Sequence, residues 1–282
     1  MSNFDYSALN ASTQPSVTAT QLPPSNKKYI LVIVAFLVGL SLVNGILIPG
    51  LLSRESTNLS SLFPVLFINV IIISVMAGVY VQQKMHVAKA EKLLRFAENN
   101  RLSLVFDQKP TIQTGVIFNT GWDRLLREGV KGEIGSQEFE LSTYRHVIGH
   151  ARSARSYRYT YLMVTLNQQF PSLLFHNRRV KRWGVFGQIS WIVRVYLRKI
   201  SLANTTIGRS YTIYEVQSGE KTDQERALGV LAPVLERYAD RYSFEVNKNQ
   251  LYVYKRGADN LSKEEKLREW LTLANELTNQ LR

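Results

Sequence analysis

Cysteine is absent from all 282 residues, which excludes disulfides, thiolate nucleophiles and thiolate metal sites. Histidine occurs four times. Acidic residues are missing from Leu141 to Tyr214, so paired-carboxylate chemistry would have to draw on the flank. There Asp107, Asp123, Glu128, Glu133, Glu138 and Glu140 show no spacing that singles out a pair. The Gly-x-x-x-x-Gly-Lys phosphate loop, the Gly-x-Ser-x-Gly elbow and the His-Glu-x-x-His zinc motif are all lacking. Finally, only Arg54 and Glu55 carry charge between Tyr29 and Gln83.

This last absence is the most informative. Two charge-free apolar stretches, Tyr29–Ser53 and Leu62–Gln83, flank a short polar connector. Each meets the length of about 20 residues that a helix needs to cross a bilayer. The first holds sixteen Leu, Ile, Val or Phe residues up to Leu52, roughly −5 to −10 kcal/mol on an insertion scale before its polar residues are counted. A core helix is seldom apolar on every face, and a signal-peptide core is only about 7–15 residues. Pro49 and Pro64 stand near the connector ends, where a lost hydrogen bond costs least. The pattern predicts a two-helix transmembrane hairpin, with helices at 29–52 and 62–83. Lys27 and Lys28 precede it, and Lys84, Lys89, Lys92, Arg95 and Arg101 follow it. Because positive residues stay inside, the expectation is a multi-pass cell-membrane protein with both termini cytoplasmic and the lipid bilayer as its first partner.

The flanking segments divide in turn. Residues 1–26 carry one charge, Asp5, amid Ser, Thr, Gln, Pro and Asn, so 1–28 is expected to be a disordered tail. Val87, Leu93, Leu94 and Ala97 predict a helical stalk over 84–100. Residues 101–282 follow as a cytoplasmic domain. Its predicted elements are strands at Arg101–Phe106, Glu138–Ile148 and Tyr157–Leu166, and a short helix at Gly121–Glu128. In Gln188–Arg198, Ile189, Trp191, Val193, Val195 and Leu197 share a face. β-Branched enrichment favours a strand, while Gly187, Ser190, Arg194 and Arg198 also fit the polar stripe of an interfacial helix. Capping-box patterns at Thr222–Glu225 and Ser262–Glu265 open two helices. The first is kinked by Pro233 and runs to about Arg241; the second carries the stripe Leu267, Trp270, Leu271, Ala274, Leu277 and Leu281. Tyr242–Val246 and Leu251–Tyr254 around Asn247–Gln250 read as a hairpin. Strands and helices do not alternate strictly, so the class is α+β with a mixed, largely antiparallel sheet and a C-terminal amphipathic helix.

Candidate sites come from charge. The formal charge of +13 is concentrated in the acid-free block, which holds twelve Lys or Arg. Arg152, Arg155, Arg158, Arg178, Arg179, Lys181, Arg182, Arg194, Arg198 and Lys199 are the candidates for binding anionic groups. Anionic lipid headgroups, an acidic protein or nucleic acid would each meet such a field. Interleaving with Tyr157, Tyr159, Tyr161 and Trp183 suits base stacking, and equally a twisted strand with solvated arginines. Gly129, Gly132 and Gly135 fit tight turns or an anion-cradling loop. His146 and His150 have the i, i+4 spacing of zinc ligands, but at a strand end interrupted by Gly149. His176 sits among basic residues that disfavour its proton. No catalytic residue, metal ligand or cofactor is assigned.

Residues 114–124 (Thr-Gly-Val-Ile-Phe-Asn-Thr-Gly-Trp-Asp-Arg), 130–135 (Val-Lys-Gly-Glu-Ile-Gly), 139–141 (Phe-Glu-Leu) and 170–178 (Phe-Pro-Ser-Leu-Leu-Phe-His-Asn-Arg) follow one another in a recognisable order. Tyr-Thr-Ile-Tyr at 211–214 and the Phe-Glu-Val…Leu-Tyr-Val-Tyr segment continue it. This order resembles an uncharacterised bacterial family of membrane-tethered proteins sharing a domain of unknown function. The resemblance covers residues 100–256 and implies an N-terminal membrane hairpin with a cytoplasmic α+β domain. It carries over no catalytic residue. The function expected is a membrane-tethered, non-catalytic scaffold or binding module with a basic face. The alternatives are a tethered enzyme using polar residues of the 115–150 region, where Trp122, Asp123, Glu133, His146 and His150 lie, or a nucleic-acid-binding module.

Overall fold

A computed structural model describes residues 4–10, 63–111, 113–178, 197–200, 206–216 and 221–281. The first predicted membrane helix and most of Gln188–Arg198 lie outside these residues. Contacts divide the chain into two units, Met1–Ser12 with Lys92–Arg282, and Thr13–Glu91.

The second unit is described through helix α2, Phe63–Asn99, which runs without a break and crosses the unit boundary. Its segment from Phe67 is long and apolar enough to span a membrane, and it is the one such helix among the described residues. Apolar side chains point outward around most of it, with Ile72 and Met76 half-buried along one side. Phe67, Ile68, Val70, Ile71, Ile73, Val75 and Tyr80 are each at least 46% exposed. Leu93, Phe96 and Ala97 in its final turns belong to the first unit and are buried in that unit's core.

That unit is α+β around a seven-stranded sheet in which every described pairing is antiparallel. The strands are β1 (Ser103–Gln108), β2 (Trp122–Ile134), β3 (Gln137–Ile148), β4 (Arg155–Asn177), β5 (Leu197–Ile200), β6 (Tyr211–Val216) and β7 (Ser243–Arg256). Strand β4, with 23 residues, is the spine. Its first half pairs with β3 and its last turns pair with β6, while β7 runs along its other edge. Helices α3 (Thr206–Ser210), α4 (Lys221–Arg237) and α5 (Glu264–Gln280) complete the unit.

Because side chains alternate across a strand, the sheet has two different faces. Leu141, Leu162, Val164, Leu173, Phe175, Phe244, Val246 and Val253 form one core with Leu231 and Leu235 of α4 and Trp270, Leu271 and Leu277 of α5. The opposite face gathers Tyr144, Tyr159, Tyr161, Met163, Tyr252 and Tyr254 beneath Ile117 and Phe118. The last two lie in a single 3-10 turn, Val116–Asn119, so a strap rather than a helix covers this face.

Several expectations are corrected. Gly121–Glu128 is not a helix but the start of β2, because pairing with β1 and β3 overrides a weak local pattern. Gly129 and Gly132 sit within that strand, and only Gly135 occupies a left-handed turn, with φ 66°. Tyr242–Tyr254 is not a hairpin. Both halves lie end to end on β4, and the register shift between Thr165 and Leu173 turns Asn247–Gln250 into a bend with Lys248 at φ 55°. Helix α4 ends at Arg237. At the start of α5 the Ser262 hydroxyl donates to Asn260 at 2.7 Å, and Lys263 caps without a side-chain bond.

Residues 4–10 also depart from the expected disordered tail. Helix α1, Ser7–Asn10, buries Ala8 and Leu9. Tyr6 packs on Phe96 at 5.4 Å and lies beneath the Arg268 guanidinium at 4.2 Å. Asn100 accepts from the Asp5 backbone N–H at 2.7 Å and donates to its carbonyl at 2.9 Å. Two aromatic rings in seven residues supply the apolar area that composition alone concealed.

Candidate functional site

The start of β4 and the end of β7 form an open groove of about 590 Å³, lined by Arg155, Ser156, Tyr157, Arg158, Tyr159, Arg256 and Gly257. Alternation on β4 places Arg155, Tyr157 and Tyr159 on the tyrosine face. Arg256 stands directly opposite Tyr159 in register. Below, His146 stacks against Tyr157 and Tyr159 at 5.8 and 5.9 Å. Burial lowers its pKa to about 4, so the imidazole is neutral and adds no charge. Thus rings form the wall and guanidinium groups the rim.

The tyrosine face continues away from the groove into a buried polar network. Glu245 accepts from the Val116 N–H at 2.9 Å and from the Tyr254 hydroxyl at 2.7 Å. Burial pushes its pKa up to about 7, against the lowering effect of these two bonds. Glu140 accepts from Gln113 at 2.7 Å and from the Tyr161 hydroxyl. Burial and this carboxylate raise the Tyr161 pKa well above its usual range. Thr114 donates through its N–H to the Tyr252 hydroxyl at 3.0 Å, and the Tyr144 hydroxyl donates to the Ile117 carbonyl at 3.2 Å. The strap is therefore held by hydroxyl and carboxylate groups as much as by Phe118. Gly115 permits this approach, since a methyl there would collide with the Tyr254 hydroxyl. These polar groups are engaged with the strap, which makes them structural.

The predicted cations do not form one patch. Arg155 and Arg158 line the groove, and Arg152 lies nearby in the 3-10 turn Ala151–Ser153. Arg178 follows β4 at its far end, donating through its N–H to the Ser210 carbonyl at 2.9 Å. The 23 residues of β4, at about 3.3 Å each, separate the two ends. Arg198 and Lys199 lie on β5, and Arg198 pairs with Glu215 at 3.5 Å. Arg145 pairs with Asp123. The acid-free block is thus partly neutralised by acids from elsewhere in the chain. Arg179, Lys181, Arg182 and Arg194 lie outside the described residues.

Of the polar residues that an enzyme reading would use, Trp122, Asp123, His146 and His150 lie at one end of β2 and β3, each engaged or buried separately. Trp122 donates to the Gly149 carbonyl at 2.9 Å, Asp123 holds Arg145, His146 is buried and His150 is exposed. Glu133 stands at the far end of β2. Among the described residues no group of three His, Asp or Glu could hold a metal ion. Burial lowers the His176 pKa to about 4.

Sequence reasoning missed Arg256, which lies beyond the acid-free block. Its signal is the alternation Tyr252, Tyr254, Arg256 along one face of a strand.

No protein-family model matches the chain, and a search of curated proteins finds no match. Among solved structures, it is similar to the crystal structure of the mycobacterial trehalose monomycolate transport factor A, TtfA. The identity is 11%, the coverage 69% of this chain and 94% of that one, and the TM-score 0.42, a likeness too slight to carry an argument.

Proposed function

We propose that this protein is a hairpin-anchored membrane module, non-catalytic, with both termini and its basic sheet domain in the cytoplasm. One observation supports this above the others: residues 4–10 dock on the same domain that follows the apolar helix. A single crossing would leave those two parts on opposite sides of a bilayer. If α2 crosses once, a second crossing must lie between residues 10 and 63. Tyr29–Ser53 is the charge-free stretch available there. Two crossings with Lys and Arg flanking both on the domain side agree with the positive-inside rule.

Anionic lipid headgroups or an acidic protein surface are the partners that suit a domain with this charge. Alkaline carbonate extraction of bacterial membranes carrying the full chain tests the anchoring. The chain should remain in the pellet, and release into the supernatant would overturn the reading.

A further inference from the structure

We propose that the strap over the tyrosine face is a pH-sensitive latch, held closed while Glu245 is protonated and released when that carboxyl ionises. The inference is independent of the membrane reading, because it rests on the sheet domain alone. Three features carry it.

The strap is fastened to the sheet by a few polar bonds with Glu245 at their centre. Both carboxyl oxygens of Glu245 accept from the Val116 N–H, each at 2.9 Å. Before that bond, the Thr114 N–H donates to Tyr252 and the Thr114 hydroxyl donates to Gln250 at 2.9 Å. After it, the Ile117 carbonyl accepts from Tyr144 and the Phe118 carbonyl accepts from the Arg124 guanidinium at 2.7 Å. The covering turn has only four residues, so lifting it breaks far fewer contacts than unfolding the sheet.

The carboxyl at the centre also lacks a counter-charge. Glu245 is 3% exposed, and among the described residues no ion pair engages it. The titratable groups on this face are Tyr252 and Tyr254 of β7, Tyr161 of β4, and Glu140, Tyr144 and the neutral His146 of β3. β1 and β2 add the apolar Val105 and Leu126. None of these supplies a positive charge, and Arg124 is engaged by the strap's own carbonyl. Burial therefore outweighs the bonds from Tyr254 and Val116 and raises the Glu245 carboxyl from 4.5 to about 7. Lifting the strap admits water and restores the ordinary value. The closed form is thus the one with the raised pKa, so the latch is firmest below about pH 4.5 and loosens as pH rises through 7.

The third feature is what the strap covers. The Phe118 ring packs on Tyr144, Tyr161 and Tyr252 at 4.7, 4.9 and 5.7 Å. Release uncovers these rings together, so the loss of one proton changes the character of a whole face.

Hydrogen exchange of the full chain in phosphatidylcholine nanodiscs, at pH 5 and pH 8, tests the latch. Rates of the amides at 114–120 are divided by the intrinsic rate at each pH and compared with those at 160–164 in β4. The strap should open about 70-fold more often at pH 8 than at pH 5, the factor implied by a shift from 4.5 to about 7. Its amides should also exchange ahead of those in β4. Glu245→Gln keeps an acceptor for Val116 and cannot ionise, so its corrected strap rates should be equal at the two pH values. Tyr254→Phe keeps the ring and removes a donor to the carboxylate, so its strap should open more than the wild type's at pH 8. Near-UV dichroism of each variant checks that the fold is kept. The proposal is overturned by corrected wild-type rates that do not rise with pH, or by a pH dependence that survives in Glu245→Gln. A strap in Tyr254→Phe as closed as the wild type's at pH 8, or strap and β4 amides exchanging at one rate, would also overturn it.

Discussion

The sheet domain and the apolar helix handle the same kinds of side chain in opposite ways. Leu, Val, Phe and Tyr of the domain are packed between strands and helices or under the strap. From Phe67 to Met85 most of the large apolar residues of α2 face outward, and ten of the eleven large exposed hydrophobics among the described residues lie there. A water-facing surface of that kind would be expensive, which is why a membrane span is proposed for α2. The difference teaches that apolar content alone does not locate a core: what matters is whether partners close over it.

Substitutions of one chemical kind should therefore separate the two regions. Trp270 is fully buried, packs on Tyr242 at 5.1 Å and donates to Asp259 at 2.9 Å. Trp270→Ala should cost about 3–5 kcal/mol of domain stability, read by denaturant titration of near-UV dichroism, while carbonate extraction stays unchanged. Val75→Arg should do the reverse. A central arginine costs about 2.5–3.5 kcal/mol in apparent insertion energy, so membrane retention should fall while the domain's denaturation midpoint holds. Equal effects of the two variants on both readouts would break the comparison.

Within the domain, Glu245 marks the polar face. Its pKa is raised from 4.5 to about 7 by burial. The neutral form is favoured on folding, so its contribution is greatest below about pH 4.5 and is lost as pH rises through 7. A shift of this size corresponds to about 3 kcal/mol. Glu245→Gln retains an acceptor for the Val116 N–H and removes the charge. The variant should match the wild type at pH 4.5 and be more stable by up to about 3 kcal/mol at pH 8, in urea melts at both values. A gap independent of pH would show that burial does not control this carboxylate.

The smallest effect belongs to the docked N-terminus. Asn100→Ala removes its two bonds to Asp5, worth about 1–2 kcal/mol together. Proteolysis should then cut near residue 10 faster, while the sheet core keeps its hydrogen-exchange protection.

How much of this was legible in the sequence follows from how local each signal is. The stripes of α4 and α5 were readable because helical bonds join residues four apart. The run Gly121–Glu128 reads locally as a helix, because β2 is defined only by its partners on β1 and β3. The long β7 reads as a hairpin because nothing within it announces that β4 supplies both halves with bonds. Of the groove, Arg155, Arg158 and the tyrosines were readable as a basic, aromatic strand. Arg256 was not, since β7 reaches it only through the fold. Glu140 stands among the flank carboxylates in the sequence without any sign that it is buried, and Glu245 is not singled out at all, for a related reason. Both alternate with apolar residues as solvent-facing positions do, but this sheet is covered on both faces.

The central claim is that two crossings return the chain to the side from which it started. With no native cysteine, single cysteines report it cleanly. Ser7→Cys lies in the docked segment, Thr57→Cys between the apolar stretches, and Ser136→Cys in the exposed β2–β3 turn. An impermeant maleimide added to intact spheroplasts should label position 57 alone, with positions 7 and 136 labelled only after the membrane is permeabilised. Labelling of position 7 and position 136 from opposite sides would contradict the account.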